Sequence, residues 1–131
     1  MPNETFDLRG AATPVAFLYV GDRQRALEFY CGPLGLALRS SDAFGDFIDA
    51  GPGLIRMTVM PDCKPGQHPV LGWNVADIKG AVEALRARGV EFTIHPGMGQ
   101  DELGIWTSPD GAAKVAFFAD PDGNVLSLAQ A

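Results

Sequence analysis

Arg56 lies in Leu54-Ile55-Arg56-Met57-Thr58-Val59, a run in which polar and apolar residues alternate. Side chains alternate across a strand, so Arg56 and Thr58 share one face while Ile55, Met57 and Val59 share the other. A partly buried guanidinium needs a partner, because an unpaired buried charge is costly. It also grips carboxylate or phosphate through two parallel N–H donors. Arg56 is therefore a candidate for holding an anionic ligand group. The alternatives are an internal ion pair, or a side chain that reaches along its stem to the rim. The same alternation places Phe17 and Tyr19 on the outward face of Val15–Val20, and Asn74 on the outward face of Val70–Val75. Aromatic rings stack on planar or cationic ligands, and Phe17, Tyr19, Trp106 and Phe117 are the candidates for such a wall. Thr58, Asn74 and Ser127 are the candidates for orienting hydrogen bonds.

Other chemistries find less support. Cys31 and Cys63 are far apart and match no ligand or redox spacing, so they read as reduced structural thiols. Ser127 has no evident His–Asp pair to activate it. The loop Gly97-Met98-Gly99-Gln100-Asp101-Glu102 is glycine-rich but lacks the strand–loop–helix setting and the lysine of a phosphate cradle. The two histidines, His68 and His95, each precede a proline and read as a turn residue and a strand end. A relocated metal site built from His68 with Asp101 or Glu102 would need three convergent ligands. Accordingly no catalytic residue, metal ligand or cofactor is assigned.

The elements that position these residues repeat. Pro14–Tyr30 overlays Pro69–Leu85 at an offset of 55, matching Val20 with Val75, Asp22 with Asp77, Ala26 with Ala81 and Tyr30 with Leu85. Each copy opens with a short apolar strand and an Asp that can cap the first turn of a helix. Ile78, Ala81, Val82 and Leu85 recur at helical spacing, and Gly89 suits the position just past the helix end. After the first helix, strands are expected at Leu36–Ser41, Phe44–Asp49 and Leu54–Met60. After the second they are expected at Val90–His95, Lys114–Ala119 and Val125–Ala129, with Asp120–Asn124 as the last turn. The last strands overlay at an offset of 71, so the second copy carries about 16 extra residues, assigned to an inserted hairpin around Gly104–Gly111 that carries Trp106. One face of the four key strands, from Leu18 and Val20 to Leu126 and Leu128, is wholly apolar and should pack on the helices. The other mixes apolar walls with a few polar groups, as ligand pockets do.

These residues resemble the vicinal oxygen chelate superfamily, which includes glyoxalase I, bleomycin-resistance proteins and extradiol dioxygenases. The resemblance rests on Val15-Ala-Phe-Leu-Tyr-Val-Gly-Asp22, Ala26-Leu-Glu-Phe-Tyr30, Leu34-Gly-Leu36, Val75-Ala-Asp77, Gly89-Val-Glu-Phe92 and Asp120-Pro-Asp-Gly-Asn124, and covers roughly residues 13–130. It implies an α+β fold of two tandem βαβββ modules whose curved mixed sheets enclose a cavity. The chain is then one domain over 1–131, with module one at about 12–62 and module two at about 67–131. Metal enzymes of the superfamily place a His or Gln early in each first strand and a Glu in each last strand. At the corresponding positions this chain has Val15, Arg56, Val70 and Ser127. Valine has no lone pair and arginine is a cation, so the resemblance does not carry the metal site with it.

The reading that follows is a small-molecule-binding protein that holds an organic, anionic ligand through Phe17, Tyr19, Arg56, Thr58, Asn74, Trp106 and Ser127. The alternative is a glyoxalase- or dioxygenase-like enzyme with altered metal ligands. A net charge of −6 opposes a nucleic-acid surface. No apolar run approaches a membrane span, and Met1–Gly10 lacks the apolar core of a leader. The expected setting is therefore cytoplasmic, without a nucleic-acid or membrane partner, and the resemblance implies a homodimer.

Overall fold

A computed structural model describes residues 6–131; part of the Met1–Gly10 stretch read as lacking a leader thus lies outside the described residues. The chain runs α1 (Leu8–Ala11), β1 (Val15–Val20), α2 (Arg23–Cys31), β2 (Ala37–Ser41), β3 (Gly45–Asp49) and β4 (Leu54–Val59). It continues through β5 (Pro69–Asn74), α3 (Ile78–Ala87), β6 (Trp106–Thr107), β7 (Lys114–Ala119) and β8 (Val125–Gln130). The strands form two four-stranded mixed sheets, ordered β1-β4-β3-β2 and β5-β8-β7-β6. In each, the first strand runs parallel to the last and the other neighbours are antiparallel. This is an α+β fold of two like units in tandem, and hydrogen bonding does not close the sheets into a barrel.

Local chemistry sets the helix ends as the residue types require. Asp22 accepts from Arg25 N and Asp77 from Gly80 N, each at 3.1 Å, satisfying first-turn amides that have no partner within the helix. The side chain of Gln130, from the last strand, accepts from Ile78 N at 2.8 Å and ties β8 to the start of α3. At its far end α3 closes in a Schellman motif: Val90 N donates to Leu85 O, Gly89 N donates to Arg86 O, and Gly89 takes φ +95°. The helices cover the wholly apolar strand face. Leu18, Val20, Ile55, Met57, Leu126 and Leu128 are all buried there, in one core with Ala26 and Tyr30 of α2 and Ile78 and Val82 of α3.

Two expectations need correction. Residues 90–95 do not form a strand: Phe92 makes an isolated bridge to Phe118, and the chain then leaves the sheet edge. The reason is local competition for the backbone. The Gln100 side chain takes His95 N at 2.6 Å and gives to Thr93 O and Gly104 O at 2.9 and 2.8 Å. Asp101 accepts from Leu103 N and Ile105 N. The edge is regained only at Trp106–Thr107. Trp106 therefore does not belong to an added hairpin. It completes the edge strand of the second sheet, and much of the extra length lies between Phe92 and Trp106, as a loop interrupting that strand.

The turn at 120–124 does more than reverse the chain. Asp120, only 5% exposed, accepts from Asp122 N and Asn124 N through Oδ1 and from Asn124 Nδ2 and the Tyr30 hydroxyl through Oδ2, the last at 2.7 Å. Asn124 Nδ2 also donates to Tyr19 O, and Asp122 Oδ1 accepts from Gly21 N and Arg25 Nη2. Gly123, at φ +88°, makes the left-handed step that this compact turn needs. The final turn of the second unit is thus bound to the strand, turn and helix that open the first. Burial, with Asp120 beside it, raises the Tyr30 phenol well above the usual tyrosine range. The unfolded chain releases that proton near pH ~10 while the fold retains it, so this stabilisation is complete below pH ~10 and wanes above it. Tyr30→Phe should destabilise the fold by about 1.5–3 kcal/mol at pH 7. In denaturant titrations the gap between wild type and variant should narrow as pH rises past about 10.

Candidate functional site

The candidate residues lie on the sheet faces turned away from the helices. In the first sheet Phe17, Arg56 and Phe47 are lateral neighbours, with Tyr19 and Thr58 in the next row. Phe17 is 67% exposed and Tyr19 46% exposed, so this face is open in the single chain. In the second sheet Ser127 lies between Gly72 and Phe117, and Asn74, Ala129, Val115 and Trp106 form one row. Asn74 and Trp106 sit on opposite edge strands, about 14 Å apart at the usual strand spacing. A Cβ on Gly72 would collide with Ser127 Oγ, so the glycine is what gives that hydroxyl room. Phe117 meets His95 edge to face at 5.8 Å between centroids.

Arg56 carries the most specific geometry. Its guanidinium stacks over the Phe47 ring at 4.7 Å, and its Nη2 donates to Asp42 Oδ1 at 2.9 Å. The side chain is 13% exposed, and Nη1 is buried without a hydrogen-bond partner among the described residues. The internal ion pair, one of the alternatives left open by the residue types, is therefore formed. Sequence reasoning missed its partner. Asp42 sits in the β2–β3 turn, where an acid reads as turn chemistry, and it indeed also accepts from Phe44 N and Gly45 N. The clue available was Phe44–Asp49 alternation, which sets Phe47 beside Arg56.

From the opposite face Arg23, in the first turn of α2, grips the same turn. It donates to Asp42 O at 2.6 Å, to Gly45 O at 2.7 Å and to both carboxylate oxygens of the buried Asp46. The hydrogen bond with Asp46 holds the Arg23 guanidinium above its ordinary range. Two arginines thus clamp one hairpin turn from its two sides. Gly45 lets the start of β3 lie close against β4, because a Cβ there would strike the Met57 carbonyl across the ladder.

The four positions that correspond to superfamily metal ligands do not supply a donor set for a divalent cation. Val15 and Val70 offer carbon, Arg56 is a cation already engaged by Asp42, and Ser127 is a single hydroxyl. Among the described residues no three His, Cys, Asp or Glu side chains gather in a way that could hold a metal ion. The relocated site using His68 with Asp101 or Glu102 is therefore not formed, and Asp101 spends its carboxylate on backbone amides of its own loop.

The hydrogen bond and charge of Arg56, helped by the Phe44 and Gly45 amides, lower the Asp42 carboxyl to about 2. A depressed folded value means that the contribution of this pair to stability is present above pH ~4 and is lost as pH falls from there toward about 2. Carboxyl-carbon NMR titration should find Asp42 still ionised at pH 3. In Arg56→Gln its midpoint should rise toward the ordinary value near ~4.

A comparison with protein families matches residues 12–128 to the Glyoxalase/Bleomycin resistance protein/Dioxygenase superfamily. Solved structures share the fold at low sequence identity. A glyoxalase/bleomycin resistance protein/dioxygenase from Alicyclobacillus acidocaldarius has a TM-score of 0.71 at 18% identity, covering 92% of this chain and 91% of that one. The genomically encoded fosfomycin resistance protein FosX from Listeria monocytogenes has a TM-score of 0.71 at 14% identity, covering 92% and 93%. TioX from Micromonospora sp. ML1 has a TM-score of 0.67 at 17% identity, covering 92% and 98%. Among curated protein sequences, none matches this chain. The family match spans nearly the whole sequence and agrees with two βαβββ units in tandem: this chain belongs to the glyoxalase/bleomycin resistance protein/dioxygenase superfamily.

Proposed function

We propose that the chain is a binding protein for a small organic molecule, held on the outward sheet faces without help from a divalent metal. The carrying observation is the exposure of Phe17 and Tyr19 beside Arg56, on a face where metal-donor positions hold Val15 and Arg56. Exposed aromatics next to a pinned cation suit a planar ligand: the rings give area, and the cation favours an anionic edge. Thr58 on the first sheet, and Asn74, Trp106 and Ser127 on the second, are the groups that would orient it. Arg56 acts chiefly by its charge and by fixing the Phe47 ring, since Asp42 already takes one of its donors.

Open aromatic faces also favour assembly, because apolar surface in water is stabilised by cover. The reading therefore includes a homodimer in which each first sheet faces a partner's second sheet and the ligand lies between them. Two free thiols, Cys31 and Cys63, accord with a reducing, cytoplasmic setting. None of the described helices is long and apolar enough to cross a membrane.

The test is a thermal-shift screen of planar organic anions, with hits measured by calorimetry. A ligand that prefers the folded state raises the apparent melting temperature by mass action. Phe17→Ala and Tyr19→Ala should each weaken a hit by about 5- to 30-fold, the range typical of a buried aromatic anchor. Added zinc, nickel or manganese should leave both melting temperature and affinity unchanged. Stoichiometric metal retained through purification, and needed for ligand binding, would sink this reading in favour of an enzyme with altered ligands.

A further inference from the structure

The internal repeat creates two grooves between the units, one for each crossing of a helix over the other unit. In one, the segment Gly89–Thr93 and the end of β7 at Ala119–Pro121 meet Phe29 of α2. In the other, Leu34–Ala37 and the end of β3 at Asp49–Gly51 meet α3 and β5. The backbone segments correspond under the repeat, with one more residue after the helix in the first unit, but several of the side chains along the grooves do not. The first is lined by rings: Phe29 lies 5.2 Å from Tyr30 and 6.5 Å from Phe118, and Phe92 lies 5.2 Å from Phe118. The Tyr30 hydroxyl then closes onto Asp120. At the matching places the second groove has Ala84 for Phe29, Leu85 for Tyr30 and Ala50 for Asp120.

Both grooves are open: the first holds a cavity of about 520 Å³, and the second one of about 640 Å³ that reaches down to Trp73, Phe118 and Leu128, the last two otherwise sealed in the core. Its size falls within the range of small-molecule sites, roughly 300–1,000 Å³. Its lining is apolar apart from Asn74 and two charged residues. Asp49 alternates with the buried Ile48, which turns its side chain to the opposite sheet face, and its carboxylate accepts from Gly51 N. Arg88, at the end of α3, reaches across the mouth, and its Nη1 donates to Pro33 O on the far wall at 3.0 Å. No carboxylate lies within ion-pair distance of Arg88 among the described residues. Its remaining N–H groups make no hydrogen bond to another described residue.

We propose that this groove is a second binding site, distinct from the outward sheet faces, for a small apolar molecule with one anionic group. The apolar body lies against Trp73, Ala84, Leu85 and Phe118, and the anionic head meets Arg88. A lone guanidinium over a greasy hollow selects for that combination: the apolar part gains by leaving water, and the head keeps a charged partner at the rim.

Octanoate and octanol serve as matched probes in calorimetry and amide-shift mapping on the full chain. Octanoate should bind saturably and shift the amides of Ala81, Ala84 and Arg88. Ala84→Phe restores the ring that the repeat partner carries, and should weaken octanoate at least 10-fold. Arg88→Gln should weaken octanoate at least 5-fold while leaving octanol unchanged. As an exposed change, Arg88→Gln also keeps the test decisive should Ala84→Phe fold poorly. Phe17→Ala, which removes an anchor of the site proposed above, should leave octanoate binding intact, so the two proposals fail separately. Any of three results would overturn this one: no saturable octanoate binding, undiminished binding in folded Ala84→Phe and Arg88→Gln, or shifts confined to the Phe17 and Arg56 face. A fourth would do so equally: a change of sedimentation mass in both groove variants without loss of octanoate binding, which would assign the groove to a second copy of the chain.

Discussion

The hydrogen bond from the Tyr30 hydroxyl to Asp120 joins residues 90 positions apart and closes the duplicated chain on itself. A buried carboxylate is tolerable only when its lone pairs are used. Asp120 meets that condition with two backbone amides, the Asn124 amide and the tyrosine. Each donor depends on the others. The turn amides converge because Gly123 takes a left-handed conformation, and Asn124 is aimed by its second bond to Tyr19 O. Tyr30 is aimed by its place on the buried stripe of α2. With the core that the two units share, this knot ties the end of the second unit to the start of the first.

The knot also accounts for an asymmetry between nearly equivalent halves. One crossing between the units is lined by Phe29, Phe92 and Phe118 and closed by the polar network of Tyr30 and Asp120. The other carries Ala84, Leu85 and Ala50 at the positions of Phe29, Tyr30 and Asp120, so it has no counterpart of that network. A repeat needs only one well-made lock, since fixing one crossing of two rigid units fixes the other.

A comparable division of labour marks the first sheet. Arg23 and Arg56 approach the β2–β3 turn from opposite faces, and both end on Asp42, through its carbonyl and its carboxylate. The helix-side arginine meets a buried acid and serves the fold. The outward arginine meets a half-exposed acid and an aromatic ring, so it presents a fixed but partly neutralised charge to the open face.

Much of the architecture was legible in the residues because it rests on local rules. The period-2 runs, Asp22 and Asp77 as caps, and Gly89 past the helix end each depend on neighbours within a few positions, and repetition at an offset of 55 made them mutually confirming. The resemblance to the superfamily, and no local rule, pointed to the valines and the arginine at positions where its metal enzymes carry donors. Tertiary structure alone decided the rest, because it turns on pairings across long stretches of chain that no spacing rule encodes. It withdrew 94–105 from the sheet edge, since the Gln100 side chain outcompeted the ladder for that backbone. It gave Arg56 to Asp42, and it made Asp120, which reads as one more acid in a turn, the buried centre of the fold. It also left a hollow beneath Arg88, where two surfaces distant in sequence meet.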